Sequence, residues 1–332
     1  MIVTLHSWTL KQWQRRSYMH TILSPLSSAF YLVTLARRYW LSRQAYKTNV
    51  PVIIIGNISA GGNGKTPFVI ALSLYLQQQG KRVGIISKGY GRRYPKSTLC
   101  VDHTMPAECV GDEVALIWRK TQIPIVISPC RKTACQRLET RQCDVIISDD
   151  GLQDYRLARQ IEVILTSSGN LGNQMLHPLG PLREPVSRLD DADFVIEQTQ
   201  SPTDNAIIMR YEIESIQHHK TGQLLDHNNW PIDQHVIALS AIGNPGRFKQ
   251  LLNHAGFRVK AIELPDHATI TEDDLRPYQH ETILITEKDA IKLTSTVTID
   301  CYVVNIKPVF NQEIIEKIHE KLEIIGRKSQ SN

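Results

Sequence analysis

Short runs of β-branched residues alternate with segments of helical periodicity through the middle of the chain. The first run, at 52–55, precedes a helix-like segment at 68–79 that ends before Gly80. Further runs that predict strands lie at 82–87, 123–128, 144–148, 161–167 and 193–198, with helices beginning near 111 and 131. Strands that alternate with helices predict a doubly wound α/β fold, in which helices cover both faces of a parallel sheet.

The alternation of strands and helices stops at 206–231 and then starts again. The stretch 206–231 is polar and alternating, which predicts a hairpin-like connection. Further strands are predicted near 236–240, 258–264, 282–286 and 301–306, with helices between and after them. We therefore predict four regions, namely an N-terminal segment at 1–48, a larger α/β domain at 49–205, the connection at 206–231 and a smaller C-terminal α/β domain at 232–332.

The N-terminal segment is basic and aromatic around a short apolar stretch. Residues 22–35 are mostly apolar, but these 14 residues are interrupted by Pro25 and are too few to span a hydrocarbon layer about 30 Å thick. Basic residues flank the stretch on both sides, and tryptophan and tyrosine residues are interleaved with them. This composition is typical of a segment that lies in a membrane interface. The alternative is a pair of helices packed on the protein with a solvated basic face.

Charge is divided unevenly along the 332 residues, although the formal net charge is only +5. Residues 1–101 contain 14 lysines and arginines and no acidic residue, which leaves 24 basic against 33 acidic residues in the rest of the chain. A basic N-terminal third indicates an anionic partner, which could be a phosphorylated substrate, a nucleic acid or an anionic lipid.

A glycine-rich sequence, GNISAGGNGKTPF, joins the first apolar run to the first predicted helix. Its glycines let backbone N–H groups approach phosphate closely, and the N-terminus of the following helix adds partial positive charge. Lys65 can reach the β- and γ-phosphates, and the Thr66 hydroxyl can ligate Mg²⁺. The predicted nucleotide-binding residues are Ser59, Ala60, Gly61, Gly62, Asn63, Gly64, Lys65 and Thr66.

Two positions of this loop, and one later string, distinguish between classes of nucleotide-binding protein. Ser59 stands where the strict pattern G-x-x-x-x-G-K-[ST] has glycine, so the match is one residue short. Ala60 stands where a membrane-binding partitioning ATPase would carry an additional lysine. A GTPase would require [NT]-K-x-D, but in the string TEKD, at 286–289, the lysine comes one position late. The motifs therefore favour neither of these two classes.

Two adjacent carboxylates, Asp149 and Asp150, follow the apolar run at 144–148. A buried strand that ends in a carboxylate near Mg²⁺ is the second element of a P-loop site. Two neighbouring carboxylates disfavour each other's ionisation unless a cation lies close by. The sequence therefore predicts a metal site at the end of this strand.

Three further residues are candidates for chemistry at such a site. Asp112 begins a predicted helix, and a kinase that acts on an alcohol needs a base for the hydroxyl proton, although a helix cap is the simpler interpretation. His267, in a loop of the C-terminal region, could hydrogen-bond a catalytic carboxylate if two lobes meet there. Arg183 lies in a loop rich in proline and glycine and suits phosphate contact, unless it forms a structural ion pair with Glu184.

Eight motifs occur in the order PVIIIGNISAGGNGKTPF, SKGYGRR, VGDE, DDGLQ, GPLREP, AIGNPGRF, LPDH and TEKDAIK. In this order the chain resembles the tetraacyldisaccharide 4'-kinases from about residue 8 to about residue 325. The resemblance implies a P-loop NTPase-like kinase domain at 49–205. It also implies transfer of the γ-phosphate of ATP, with Mg²⁺, to the 4'-hydroxyl of tetraacyldisaccharide 1-phosphate. The product would be lipid IVA, an intermediate of lipid A and lipopolysaccharide biosynthesis in Gram-negative bacteria.

The resemblance also implies roles for individual residues. The implied catalytic residues are Lys65, Asp112 as the base and His267 as its assistant, and the implied metal and nucleotide ligands are Thr66, Asp149, Asp150 and Gln153. Weaker phosphate or substrate contacts are implied for Lys88, Arg183 and Glu184. The segment 1–48 would dock, peripherally or monotopically, to the cytoplasmic face of the inner membrane, where the acylated substrate lies. Neither nucleic acid nor an obligate protein partner is implied.

The chain departs from the family's pattern at three places. Asp154 follows Gln153 where the pattern has histidine, so any contact from that histidine is lost or changed. Lys88 replaces the arginine of S-R-G-Y-G, which exchanges a bidentate fork for a point charge. The sequence ALSAIGNP replaces the more usual A-G-I-G of the C-terminal region.

Two other functions share parts of this pattern. A membrane-bound P-loop ATPase acting as a nucleotide switch would have the loop, the acidic strand and the basic N-terminal segment, but would not require Asp266 and His267. A kinase for a soluble metabolite is less compatible with the aromatic and basic N-terminal segment.

Overall fold

The computed structural model describes residues 13, 18–61, 64–167, 171–199, 207–226, 230, 234–293 and 297–330. The strands are β1 (Val52–Gly56), β2 (Val83–Ser87), β3 (Leu99–Cys100), β4 (Ile125–Ile127), β5 (Val145–Asp149), β6 (Ile161–Thr166), β7 (Phe194–Gln198), β8 (Ile207–His218), β9 (His235–Ser240), β10 (Arg258–Glu263), β11 (Thr282–Thr286) and β12 (Tyr302–Phe310).

The helices lie between and around these strands. They are α1 (Tyr18–Arg43), α2 (Lys65–Gln78), α3 (Ala107–Val110), α4 (Asp112–Thr121), α5 (Arg131–Glu139), α6 (Pro245–His254), α7 (Glu272–Leu275), α8 (Glu287–Ala290) and α9 (Gln312–Gln330), with 3₁₀ turns at Val186–Leu189 and Arg276–Tyr278.

One twelve-stranded sheet contains all of these strands, in the order β10-β9-β11-β12-β8-β7-β6-β1-β5-β2-β4-β3. Neighbours pair in parallel except for β8 with β12 and β3 with β4. The predicted α/β class with helices on both faces is confirmed, but the sheet is mixed and not wholly parallel. β8 and β12 are long strands whose antiparallel ladder joins the two sets of parallel strands. The predicted division into domains stays a prediction.

The central strands are buried on both faces, because helices pack on each side of the sheet. Ile53 and Ile55 of β1 face a core completed by α2, α4 and α9, whereas Val52 and Ile54 face a second core completed by α5. This alternation follows from the pleat of a strand, and it explains why all five residues of β1 are apolar or glycine. Helix α9, near the end of the chain, therefore closes the core around β1.

The connection predicted at 206–231 contains β8 and a tight return. After β8 the chain turns at 218–222, and Gln217 then bridges Leu224 in antiparallel fashion. The stretch is thus both a reversal of the chain and a structural strand of the sheet. Its alternation arises because β8 pairs along its length with β12, one face of each strand packing on a core, and a register shift between Asn305 and Ile306 interrupts the pairing.

Helix α1 runs along the loops at 171–191 on one side of the molecule. Its Arg38 guanidinium lies 2.9 Å from the Asp191 carboxylate, and the Ser27 hydroxyl donates to the Leu176 carbonyl at 3.3 Å. Large apolar side chains on its other side are exposed, among them Leu32 (64%) and Val33 (63%). Within the described residues no helix is long and apolar enough to cross a membrane.

Candidate active site

The phosphate-binding loop connects β1 to α2. Gly62 and Asn63 lie outside the described residues. Gly64 has a φ of 77°, and a Cβ atom at this position would come within 2.0 Å of the Tyr211 hydroxyl, so a side chain does not fit there. Ser59 has no positive φ and bridges Leu182 in antiparallel fashion, while the Ala60 N–H donates to the Pro181 carbonyl at 2.8 Å. Extended backbone accepts serine as well as glycine, which explains the departure at position 59.

Lys65, the first residue of α2, is held by two polar groups. Its Nζ lies 3.2 Å from Asp150 Oδ1 and 3.3 Å from Asn57 Oδ1. Asn57 in turn donates from its side-chain nitrogen to the Gly61 carbonyl at 3.2 Å. These contacts hold the lysine beside the acidic strand end and connect it to the loop that it follows. Thr66 lines the adjoining cavity.

Asp149 and Asp150 differ strongly in environment although they are adjacent. Asp149 ends β5 directly beside Ile55 of β1 and accepts a hydrogen bond from Ser87 Oγ at 3.2 Å. Burial, with the nearby carboxylates of Glu113 and Asp150, raises the pKa of Asp149. Burial also acts to raise the pKa of Asp150, but Lys65 and Arg183 outweigh it and hold that pKa below its ordinary value. A cation beside Asp149 would favour its ionised form and so oppose the effect of burial on its pKa.

The sequence did not reveal that Arg131 is buried beneath this pair. Its guanidinium donates to the carbonyls of Ile86 at 2.8 Å and Asp149 at 2.6 Å, and more distantly to that of Asp150 at 3.2 Å. The side chain therefore fixes the backbone at the carboxyl ends of β2 and β5. An arginine at the start of a predicted helix looks like a surface residue in a single sequence, so its sequence position gave no signal.

The GPLREP loop packs directly on the phosphate-binding loop. The Arg183 N–H donates to the Ile58 carbonyl at 2.7 Å, and the Arg183 guanidinium lies 3.9 Å from Asp150 Oδ2. Gln153 Nε2 donates to the Asn57 carbonyl at 2.9 Å and to Glu184 Oε1 at 3.1 Å. Four predicted residues, Asp150, Gln153, Arg183 and Glu184, thus lie together around the base of the loop.

Behind Glu184 lies a buried ionic network. The Arg188 guanidinium lies 2.5 Å from Glu162 Oε2 and 3.4 Å from Glu184 Oε2, and Arg159 lies 2.8 Å from Glu162 Oε1. The Tyr155 hydroxyl donates to Glu184 Oε2. This network anchors the GPLREP loop to β6, so the position of Glu184 depends on Arg188.

Asp112 and His267 are brought together from distant parts of the sequence. His267 Nδ1 lies 3.0 Å from Asp112 Oδ2, and the ammonium groups of Lys288 and Lys292 lie 3.7 Å and 3.8 Å from the same oxygen. The other carboxylate oxygen accepts the Glu113 N–H at 3.0 Å. The loop that carries His267 has a φ of 64° at this residue and is tied by the His267 N–H to the Ala241 carbonyl.

The charges of this cluster are set by mutual contacts. Burial acts to raise the pKa of Asp112, but the hydrogen bond with His267 and the charge of Lys288 lower it below its ordinary value. The hydrogen bond with Asp112 raises the pKa of His267. Asp112 is therefore an ionised carboxylate at neutral pH, able to accept a proton.

Lys288 connects this cluster to the cavity beside the phosphate-binding loop. Its Nζ lies 3.1 Å from Glu113 Oε1, and both residues line a cavity of about 1020 Å³ that Lys65 and Thr66 also line. Lys288 and Lys292 both lie in TEKDAIK, one of the eight ordered motifs, but the sequence predicted no role for either lysine. The cavity has walls from α2, α4, α6 and α8, from the carboxyl ends of β6 and β7, and from the middle of β8 and β12.

The family model described as LpxK, tetraacyldisaccharide-1-P 4'-kinase, matches residues 19–323 of the chain. The chain belongs to this 4'-kinase family. Among the family's members, the tetraacyldisaccharide 4'-kinase of Methylobacillus flagellatus is 37% identical over 321 residues, covering 95% of this chain and 96% of that protein. The Pseudoalteromonas translucida enzyme is also 37% identical, over 324 residues, with the same two coverages of 95% and 96%.

A solved structure of the 4'-kinase family has the same fold. The crystal structure of LpxK from Aquifex aeolicus, described as an "apo" form in complex with ATP, superposes with a TM-score of 0.73 and is 28% identical. It covers 92% of this chain and 99% of that chain. The family membership inferred from the eight ordered motifs is therefore confirmed, whereas the roles of individual residues stay predictions.

Two of the departures from the 4'-kinase pattern face each other in this chain. Lys88 Nζ lies 4.0 Å from Asp154 Oδ2. Asp154 is buried and also receives a bidentate contact from Arg156, at 2.8 Å and 2.9 Å. Lysine in place of arginine and aspartate in place of histidine thus lie within ion-pair distance of each other.

Proposed function

We propose that this tetraacyldisaccharide-1-phosphate 4'-kinase of lipid A biosynthesis carries out its reaction beside the cavity between α2, α4 and α8, with ATP as the phosphate donor. The observation that carries the proposal is that Lys65 and Thr66 share one cavity with Glu113 and Lys288, which contact or adjoin Asp112. The phosphate-binding loop and two neighbours of the candidate base, Glu113 and Lys288, thus line the same space. ATP as the donor is supported by the ATP complex of Aquifex LpxK.

The residues near the strand ends fit a magnesium ion. Mg²⁺ takes one or two carboxylates and completes its octahedron with water and substrate phosphates. Asp149, with Thr66 and Asp150, would supply these protein ligands, and Gln153 would contribute through its oxygen because its nitrogen is engaged by Asn57 and Glu184. Among the described residues, no group of three or more His, Cys, Asp or Glu side chains is placed to hold a metal ion. When bound, Mg²⁺ would neutralise charge on the β- and γ-phosphate oxygens.

Phosphate transfer requires a base for the acceptor hydroxyl. In the proposed reaction, the 4'-oxygen attacks the γ-phosphorus as the bond from phosphorus to the β–γ bridging oxygen breaks, and ADP leaves. The hydroxyl proton passes to the Asp112 carboxylate, which His267 orients through the contact at 3.0 Å. Lys65 neutralises developing charge on the phosphates. Lys88 and Arg183 would contribute weaker phosphate or substrate contacts.

The direct test follows labelled phosphate from ATP into tetraacyldisaccharide 1-phosphate in detergent micelles with Mg²⁺. Lys65→Ala should lower kcat/KM by about 10²–10³-fold and weaken ATP binding, because it removes a preorganised cation from the phosphates. Lys81→Ala is the matched control, since Lys81 follows the far end of the same helix and pairs with Glu323. ATP hydrolysis without labelled lipid would instead support the nucleotide switch.

We further propose that α1 docks this enzyme peripherally on the cytoplasmic face of the inner membrane, where its lipid substrate lies. The support is the exposure of Leu32, Val33 and Trp40 on a helix that also carries Arg37, Arg38 and Arg43. Apolar side chains that enter the lipid interface contribute binding free energy in proportion to their buried area.

Replacing both Leu32 and Val33 with serine should therefore lower binding to vesicles containing phosphatidylglycerol by about tenfold or more. Binding is measured by co-sedimentation. The matched control replaces Leu224 and Ile324, which are exposed elsewhere on the molecule, with serine. Equal binding of all three proteins would contradict docking through α1.

A further inference from the structure

The cavity beside the phosphate-binding loop continues past the residues assigned to phosphate. β5, with its carboxylates, lies on one side of β1, and β6 and β7 lie on the other. Ser167 and Gln198, at the carboxyl ends of β6 and β7, line the cavity on this second side. At about 1020 Å³ the cavity is large enough for a ligand much longer than a triphosphate.

Gln198 is the last residue of β7 and is only 4% exposed. Its Oε1 is buried, and no donor among the described residues reaches it. The backbone is fixed, because Gln198 pairs with Met209 of β8 and the next N–H, of Thr199, donates to the Met209 carbonyl at 3.1 Å. A buried amide oxygen that is held in place and lacks a protein donor indicates an external donor.

A second polar atom lies in the same part of the cavity. The Tyr211 hydroxyl is buried against Gly64 and has no hydrogen-bond partner within the described ranges. The cavity walls include apolar side chains, Ile70, Ala71 and Leu74 of α2 and Phe248 and Leu251 of α6, together with polar ones such as Arg247, whose charge acts on Tyr211. Apolar walls with a few polar atoms at fixed places suit a flat heterocycle with donors and acceptors along its edge.

We propose that Gln198 reads the purine of the nucleotide: its Oε1 accepts a hydrogen bond from the adenine amino group, and its Nε2 donates to a neighbouring ring nitrogen. The inference rests on the proposed function, because it takes ATP as the phosphate donor bound at Lys65 and Thr66. A glutamine amide matches the donor and acceptor edge of adenine in this way. Guanine presents a carbonyl oxygen where adenine has the amino group, so the same amide orientation does not pair with it.

The test compares kcat/KM for ATP and GTP in Gln198→Glu with the unchanged protein. A carboxylate only accepts hydrogen bonds, so it loses the contact with the adenine ring nitrogen but can pair with the N–H groups of guanine. The ratio of kcat/KM for ATP to that for GTP should fall by about tenfold or more, mainly through KM. Gln198→Leu should lower the ratio less, because it removes both contacts without favouring guanine.

The matched control is Gln250→Glu, which adds the same charge to the exposed wall of the same cavity on α6. In Gln250→Glu the ratio of kcat/KM for ATP to that for GTP should equal the ratio in the unchanged protein. If Gln198→Glu does not fold, Gln198→Leu carries the test. An unchanged ratio in a folded Gln198 variant, or an equal shift in Gln250→Glu, would overturn the inference.

Failure of the proposed function would give a different experimental result from failure of the inference about Gln198. It would appear as no transfer of phosphate to the lipid by the unchanged protein with either nucleotide. Nucleotide affinity, measured without lipid as the thermal shift with ATP and with GTP, tests Gln198 in that case as well. A change in the preference for ATP over GTP that is confined to the Gln198 variants supports recognition of the base by Gln198. An equal preference in all variants contradicts it.

Discussion

Replacing Asp112 with asparagine should lower kcat by about 10²–10⁴-fold while the affinity for ATP stays close to that of the unchanged protein. Asparagine keeps the shape of the side chain but cannot take the proton of the 4'-hydroxyl. The nucleotide contacts remain, because they are assigned to the loop at 59–66 and not to Asp112. Turnover is measured as transfer of labelled phosphate into lipid, and affinity as equilibrium binding of ATP.

Two variants sharpen this test. Asp266→Asn removes a neighbouring carboxylate that lies 3.7 Å from the other nitrogen of His267, and it should change turnover far less. His267→Gln should lower turnover by less than Asp112→Asn, because the histidine acts through the carboxylate. Equal loss of ATP affinity in Asp112→Asn and Lys65→Ala would contradict the division of roles between base and phosphate-binding lysine.

Replacing Arg188 with methionine should lower the free energy of unfolding by about 3–5 kcal/mol. Arg188 is 2% exposed, and its removal leaves the Glu184 carboxylate buried without its cation and Glu162 paired only with Arg159. Methionine fills most of the volume, so the loss reports mainly on the uncompensated charge. The measurement is urea denaturation followed by circular dichroism.

The matched control is Arg82→Met. Arg82 makes a bidentate contact with Asp144, at 2.7 Å and 3.1 Å, but its side chain is 59% exposed. Exposed ion pairs contribute little to stability, since water already solvates both charges. Similar losses of unfolding free energy in the two variants would show that the contribution of Arg188 to stability does not depend on its burial.

The region around β1 was predictable because its signals are local. A buried strand, a glycine-rich turn and a helix follow one another within 52–78, and each has a distinct pattern of residues. The carboxylate at the end of β5 was predictable for the same reason. In parallel strands such ends meet at one edge of the sheet, and Ile55 indeed pairs with Asp149.

The parts of the fold that depend on pairing between distant segments of the chain were harder to predict from the sequence. Nothing local in 207–218 or 302–310 says that these strands are antiparallel neighbours and join all strands into one sheet. Burial of polar side chains was equally hidden, since Arg131 and Gln198 look in the sequence like ordinary surface residues. The pairing of Asp112 with His267 was implied by the resemblance to the 4'-kinases, and the structure brings the two side chains together across 155 residues.

The packing of α9 has a consequence for synthesis of the protein. Ile314, Ile315 and Ile318 complete the core around β1, although the other elements of that core are translated long before them. Between the end of β7 at 198 and the start of α9 at 312, a ribosome that adds about 5–20 residues per second needs roughly ten seconds. During that interval the nascent chain exposes the apolar face that α9 later covers, together with the edge of β8 that later pairs with β12. The growing polypeptide is therefore a natural client for chaperones until its last helix has been made.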